Sequence, residues 1–580
     1  MIELATFRDR ATMAGNRLLT TALAVGTVLF AGALGPAHAE AQRPTPDTTS
    51  GYPITDPLVV RRCAGCHTKD STGGLGRLSY LRKTPEGWEA SVRRMASLNN
   101  VRLDPADARA VVKYFSNHQG LAPAEVRPGR FEIERRSDDY RYTADSATER
   151  TCRACHSLGR VITQRRSPKE WELLIATHRG YYPTSDFQTF RRMGPSPRDS
   201  APKPHPMDQA IAHLSRAFPL RSAEWSAWSA TMRPAPLEGS WQLTGSETGR
   251  GQFFGAVNIT KVAGTNDEFT TRATYRFARG GGPIVREGKG LVYTGHQWRG
   301  RSSQRGSGDA ADSAWREVIS VEPGWQEMSG RWFRGGYDEF GMDVTLRRTT
   351  RGVSLAGVSP RAVQLGARDV NVTLYGTNLP KNVAAASIDF GPGIRATSVV
   401  RSTGEALEVR VQVDSAADIG ARDLFVAGAS LKGALVAYRA VDRIRVTPQA
   451  GMARTGGVRV PKQFARFEAI GYINGADKKP DTADDVELGP VDVSWGIEEY
   501  GVTFKDDDVP YIGTIDQQGV FTPNLDGPNP QRRQNRNNIG DVWVVANYQP
   551  GGSARPLKGR ALLIVTVPLY MRWEPTRTSP

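Results

Sequence analysis

Two copies of one pentapeptide constrain this chain more than any other feature. Residues 63–67 read Cys63-Ala64-Gly65-Cys66-His67, and residues 152–156 read Cys152-Arg153-Ala154-Cys155-His156. Cys-x-x-Cys-His is the spacing of c-type haem attachment. Thiols three positions apart reach the two vinyl groups on one edge of a porphyrin, and the next histidine supplies the proximal nitrogen to the iron. A zinc ribbon separates its cysteine pairs by about 15–20 residues, whereas 85 residues, 67–151, lie between Cys66 and Cys152. A redox dithiol gives no reason for a histidine directly after both pairs. The motifs use all 4 cysteines of the chain, so two haems leave none for a disulfide. The expected cofactors are two covalently bound haem c, one on Cys63 and Cys66 and one on Cys152 and Cys155, with His67 and His156 as proximal ligands.

The chain has 580 residues, enough for several domains. Arg8, Arg10 and Arg17 precede an apolar run over 18–34, and Ala37-His38-Ala39 offers a small-x-small cleavage site. Gly26 and Gly32 interrupt the run and Gly35-Pro36 ends it, which favours a cleaved secretory signal over 1–39 rather than an anchor. No later apolar run is long enough to span a bilayer. Export suits covalent haem, and the expectation is a periplasmic protein with no membrane span after signal cleavage. The formal charge of +16 suits an acidic partner surface or an acidic electron carrier. Nucleic acid is disfavoured, because the Lys and Arg residues are scattered and the chain carries an export signal.

Residues 40–52 read as a flexible arm, and two similar units follow, over about 53–125 and 137–235. Each carries a helix after its haem motif. The first starts Thr84-Pro85-Glu86-Gly87-Trp88 and runs through Val92 to Met95; the second starts Ser167-Pro168-Lys169-Glu170-Trp171 and runs through Leu174 to His178. A hydroxyl N-cap followed by proline opens both, and Ser167 with Glu170 spells a capping box. Trp88 and Met95 are two helical turns apart, as are Trp171 and His178, so each pair shares a face. This shared register selects the sixth ligands, giving His67 and Met95 for the first iron and His156 and His178 for the second. Core packing of Met95 and a surface role for His178 are the plain alternatives. His118, His213, Met193 and Met207 are the fallback ligands. A further helix, over 107–115 and again over 208–218, closes each unit. Thioether coordination raises a haem potential, so electrons are expected to enter at the haem on Cys152 and Cys155 and leave through the one on Cys63 and Cys66.

From about 238 the texture turns to short alternating strands between Gly, Asn and Asp turns. Strands over 241–243, 253–259, 269–277, 291–293, 315–319, 328–333 and 342–346 suggest an antiparallel sheet or barrel. From near Gly352, and again from Asp442, strand spacing suggests immunoglobulin-like sandwiches. The Asn- and Arg-rich stretch 526–538 reads as an exposed loop. The acidic stretch 474–487 reads as a solvated hairpin loop rather than a calcium site, since two lysines and a proline interrupt it and no EF-hand pattern is present. No nucleophile with a paired base and no phosphate-binding glycine loop occurs, so no catalytic residue is assigned. The expected fold is an N-terminal all-α dihaem cytochrome c domain (40–235) followed by three all-β domains: a β-barrel (236–350) and two immunoglobulin-like sandwiches (351–441 and 442–580).

This order, together with Cys63-x-x-Cys66-His67, Cys152-x-x-Cys155-His156 and the Trp88/Met95 and Trp171/His178 helices, resembles the α subunit of the quinohemoprotein amine dehydrogenases. The resemblance covers essentially the whole chain after the leader. It implies a periplasmic heterotrimer with a β-propeller subunit and a small subunit bearing cysteine tryptophylquinone, where primary amines are oxidised. Electrons would pass to the haems of this chain and on to an external cytochrome c or cupredoxin. Two other readings compete: the dihaem cytochrome of another periplasmic dehydrogenase, and a haem-based binding or sensor protein whose iron keeps a position open for a ligand.

Overall fold

A computed structural model describes residues 49–131, 145–153, 158–182, 185, 205–304, 314–334, 341–501, 507–551 and 555–568. The leader and most of the arm lie outside them, as do Cys155, His156 and Met193. Among the described residues, helices fill the N-terminal part: α1 (Pro57–Cys63), α2 (Pro85–Asn99), α3 (Pro105–His118), α4 (Pro123–Val126), α5 (Ser146–Arg153), α6 (Gly159–Ile162), α7 (Pro168–Tyr181), α8 (Pro206–Ala217) and α9 (Ala223–Thr231). Local chemistry sets their starts. Asp56, Thr84, Asp104, Ser167 and His205 each accept a backbone N–H at the N-cap, with proline in the first turn of the helix that follows. The capping box expected at Ser167 is only half formed. Ser167 Oγ accepts the Glu170 N–H, but the Glu170 carboxylate turns to Arg77 and Arg166, and the Ser167 N–H donates to Tyr80 O.

Two three-residue strands, β1 (Leu81–Lys83) and β2 (Gln164–Arg166), join the two copies of the repeat. They pair antiparallel with Arg82 opposite Arg165. Like charges facing across a ladder repel, and Glu125 resolves the conflict. Arg82 binds both its carboxylate oxygens at 2.9 Å, and Arg165 Nε reaches it at 2.9 Å. Ser222 Oγ and the Ala122 N–H also donate to this carboxylate. The Arg82 side chain is 0% exposed and that of Glu125 3%.

Eight strands then close a barrel: β3 (Gly239–Glu247), β4 (Gly251–Lys261), β5 (Glu268–Phe277), β6 (Ile284–Tyr293), β7 (Gln297–Gln304), β8 (Ala314–Val321), β9 (Glu327–Arg334) and β10 (Gly341–Arg348), with β10 paired back onto β3. Seven of these contain a stretch that alternation marks in the sequence. β7 does not, because its buried positions are Gln297, Trp298, Gly300 and Ser302 and only one of these is a large apolar residue. Trp298 Nε1 donates to the buried Glu317 Oε2 at 2.9 Å, so this wall of the barrel is lined by polar chemistry.

The turn between β6 and β7 locks the barrel to the first helical unit. The Thr294 N–H donates to Asn117 Oδ1 at 2.7 Å, and the buried His296 Nε2 donates to Leu121 O at 3.0 Å. Burial pushes the His296 pKa down to about 4, so it stays neutral there. Lys113 and Asp267 pair at 2.7 Å, and Arg299 binds Glu86.

Beyond the barrel, strands from Ser354–Ser359 to Ala429–Tyr438 form one eight-stranded sheet around a core that includes Val372, Phe390, Leu407 and Leu424. The last part carries sheets of 3, 4 and 3 strands around a core with Val446, Phe467, Val544 and Leu563. The stretch 526–538 is not simply an exposed loop. Arg532 turns inward, with its side chain 1% exposed, to bind Asp508 and the carbonyls of Asn537 and Ile539. In the acidic stretch, Asp484 accepts the Ala476 and Asp477 N–H groups and Asp485 binds Arg443. Its carboxylates thus bind their own loop and the arginines of the neighbouring strand Arg443–Thr447, and no group of three or more candidate metal ligands is found among the described residues. No described helix is long and apolar enough to cross a membrane.

The Glu125 knot gives a test with a defined sign. Burial raises the carboxyl pKa, but the hydrogen bonds and charges of Arg82 and Arg165 overcome it and hold the group at about 2. A depressed folded value means the stabilisation is full above the ordinary range near 4.5 and fades as pH falls towards 2. The shift corresponds to about 3 kcal/mol. Glu125→Gln should speed amide exchange in β1 and β2 on the order of 100-fold at neutral pH, leave the barrel unchanged, and abolish the wild-type loss of protection between pH 4.5 and 2. Hydrogen-exchange mass spectrometry of full-length protein measures all three.

Candidate haem centres

The first motif grows out of a helix end. Cys63 closes α1, and the Cys66 and His67 N–H groups both return to Cys63 O, at 3.2 and 3.0 Å. This tight turn leaves Cys63 half-buried and Cys66 exposed. His67 Nδ1 sits 2.8 Å from Gly76 O. A carbonyl can only accept, so Nδ1 carries the hydrogen and Nε2 keeps its lone pair. That is the tautomer a metal-bound histidine needs, held by an outer hydrogen bond.

No disulfide joins Cys63, Cys66 or Cys152. Burial lifts the Cys63 thiol pKa, with the neighbouring Cys66 adding to the rise, and burial takes Cys152 to about 12. Reactive dithiols and zinc-binding cysteines need the opposite environment. Thiols converted to thioethers lose no charge by being buried. This donor set therefore fits covalent haem better than a redox or zinc site.

The helices that carry the sixth-ligand candidates occupy matching places. Trp88 on α2 donates from Nε1 to Gln119 O, the C-cap of α3, at 3.1 Å. Trp171 on α7 donates to Phe218 O, the C-cap of α8, at 3.3 Å. The same two carbonyls also accept the N–H groups of Lys83 and Arg166. Each Trp is buried in a core that its unit's cysteine helix also touches. Trp88 shares one with Cys63 and Val92, and Trp171 shares one with Cys152 and Leu174.

Met95 and His178 lie at the half-buried edge of these helices. Met95 Sδ is 3.7 Å from Asn99 Nδ2. His178 Nδ1 donates to Leu174 O at 2.8 Å, which assigns its lone pair to Nε2. Of the fallback ligands, Met193 lies outside the described residues. His118 is exposed, bonds Tyr114 O and stacks on the Tyr114 ring at 4.3 Å. His213 lies 3.5 Å from Asp145, and Met207 is buried within α8. The second motif's Cys155 and His156 fall outside the described residues.

The repeat extends further upstream than the Trp helices alone suggest. Arg82-Lys83-Thr84-Pro85 matches Arg165-Arg166-Ser167-Pro168 in sequence and in role. Arg82 and Arg165 meet at Glu125. Lys83 lies over Trp88 at 5.4 Å, and Arg166 lies over Trp171 at 5.6 Å. Two consecutive cations before each helix were the available signal.

Comparison with known proteins places this geometry. Four family models match in succession. One is described as quinohemoprotein amine dehydrogenase A, alpha subunit, haem binding, over 54–225. The others are domains II, III and IV of the quinohemoprotein amine dehydrogenase alpha subunit, over 234–349, 353–439 and 444–578. No curated protein matches the chain. Among solved structures, a redesigned β-barrel aligns with 21% of this chain and 98% of its own, at 16% identity and a TM-score of 0.18. Three cadherin repeats of mouse clustered protocadherin PcdhgC3 align with 44% of this chain and 76% of their own, at 10% identity and a TM-score of 0.16. With one family's domains following each other along the chain from the cysteine motifs to the last sheets, the protein belongs to the quinohemoprotein amine dehydrogenase α-subunit family.

Proposed function

We propose that this haem-binding subunit carries electrons away from amine oxidation performed on a partner chain. One observation carries the reading: the family's haem-binding match, 54–225, falls on the stretch that holds both Cys-x-x-Cys-His copies and both Trp helices. Bound haem c supplies reversible one-electron chemistry at iron. Cys63 and Cys66 anchor the first group, and Cys152 and Cys155 the second. His67 and Met95 ligate the first iron, and His156 and His178 the second. The outer hydrogen bonds from His67 to Gly76 and from His178 to Leu174 orient their rings for this task.

In this reading residues 1–39 are a signal removed on export to the periplasm. The barrel and the two following units, read as immunoglobulin-like sandwiches, hold the propeller and the small cysteine tryptophylquinone subunit. The amine-oxidising site lies on that small subunit, so no residue of this chain is catalytic. Electrons enter at the haem on Cys152 and Cys155, leave through the higher-potential haem on Cys63 and Cys66, and pass to an external cytochrome c or cupredoxin.

Intact mass of the exported chain should show loss of 1–39 and gain of two haems, and Cys63→Ser with Cys66→Ser should remove one. Redox titration assigns the ligands. Met95→Ala should lower the higher potential and leave the lower one in place, while His178→Ala should perturb only the lower; an unchanged higher potential in Met95→Ala would sink the assignment. A pull-down of the chain from periplasm tests the assembly. A propeller-sized chain and a small cross-linked quinone chain should come with it, whereas a chain that comes alone with two haems returns the protein to the stand-alone cytochrome or sensor class.

A further inference from the structure

Beside the first haem motif, buried cations gather without matching counter-charge. Lys83 and Arg166 are 6% and 4% exposed. The Lys83 ammonium donates to Ser91 Oγ at 2.7 Å. Arg166 reaches Glu170 at 3.5 Å, and Arg77 Nε binds the same carboxylate at 2.8 Å. Arg94 acts electrostatically on both Lys83 and Arg166, and no carboxylate pairs with it among the described residues. Arg77 and Arg166 thus share one carboxylate, Glu170, and Lys83 and Arg94 form no ion pair with a carboxylate among the described residues. Burying a charge is costly unless an opposite charge meets it, so the cluster calls for another anion.

Placement indicates which anion. Arg77 directly follows Gly76, whose carbonyl holds His67 Nδ1. Arg94 directly precedes Met95, and Ser91 lies one helical turn before Met95 on the same face. Along the chain the cluster therefore stands next to residues that hold or carry both axial-ligand candidates of the first iron. Resting on the haem reading above, we infer that Arg77, Lys83, Arg94 and Arg166 bind a propionate carboxylate of the first haem. The ammonium and guanidinium groups supply charge-assisted hydrogen bonds to the carboxylate oxygens. Their positive field also favours the ferrous state and raises the potential of that haem, reinforcing what a Met95 ligand does. The seam position ties this anion to both units, since Arg166 and Glu170 come from the second copy.

The test uses the full-length holoprotein. Intact mass first establishes haem on Cys63 and Cys66. Redox titration and resonance Raman spectra are then compared for wild type, Lys83→Met, Lys83→Arg, Arg94→Met and Arg93→Met. Arg93 is the control, exposed and paired with Glu89. Lys83→Met and Arg94→Met should each lower the first haem's potential and shift a propionate bending band. Lys83→Arg should keep the band near its wild-type place, and Arg93→Met should change neither. If Lys83→Met fails to fold, Arg94→Met, on the half-buried side of α2, carries the test. Attached haem with unmoved propionate bands in the Met variants overturns this inference, even where the potential drifts, and leaves the functional reading standing. Wild-type protein without haem on Cys63 and Cys66 overturns both.

Discussion

Glu125 lies where two arginines from two copies of one repeat would otherwise repel each other inside the protein. A buried ion pair is poor value for stability when its charges keep unmet hydrogen-bond capacity. Here the carboxylate receives Arg82, Arg165, Ser222 and the Ala122 N–H, while Arg82 spends further donors on the carbonyls of Gly120 and Leu220. The triad is therefore saturated, and saturation is what lets so much charge sit in the interior. Its position matters more than its strength. Thr84 and Ser167, the N-caps of α2 and α7, follow Arg82 and Arg165 by two residues. Fixing the strand pair fixes where both helices begin, and each helix carries its ligand candidate about three turns further along.

The carbonyls of Gln119 and Phe218 complete this frame. Each ends a helix, and each accepts both a strand N–H and an indole N–H from its own unit. One oxygen thus joins strand, ligand helix and closing helix. That arrangement explains why tryptophan stands at both positions. The residue must fill a core and place one donor at a fixed carbonyl, and an indole does both.

What the sequence made legible follows from how local each signal is. The cysteine motifs, the N-caps with their prolines and the seven-residue spacing from Trp to ligand candidate are short-range chemistry, and they can be read without a fold. Seven barrel strands show themselves because apolar residues alternate. β7 hides because the inner wall it forms pairs Trp298 with Glu317, and its outward positions are Arg299 and Arg301. Arg82 and Arg165 were equally invisible in role, since their shared partner Glu125 is 43 residues from one and 40 from the other. The stretch 526–538 looked solvent-bound for the same reason: Arg532 finds Asp508 only once the chain has folded back. In each case a charged residue reads as surface until a distant partner brings it inside.

This bears on the meaning of a net charge of +16. Taken from composition alone, that charge reads as a field projected into solvent to steer an acidic partner. Yet Arg82, Lys83, Arg165, Arg166 and Arg532 are buried, and among the described residues Glu125, Glu170 and Asp508 are the carboxylates that form ion pairs with them. Part of the excess is thus internal, and much of it lies at the junction of the two copies of the repeat. On the proposed haem reading, internal charge would act on iron rather than on an approaching protein. It is weakly screened, does not fade over a Debye length of about 10 Å at 0.1 M salt, and biases oxidation state directly. On that reading the basic composition of this chain would be as much a means of setting potentials as a means of attracting a carrier.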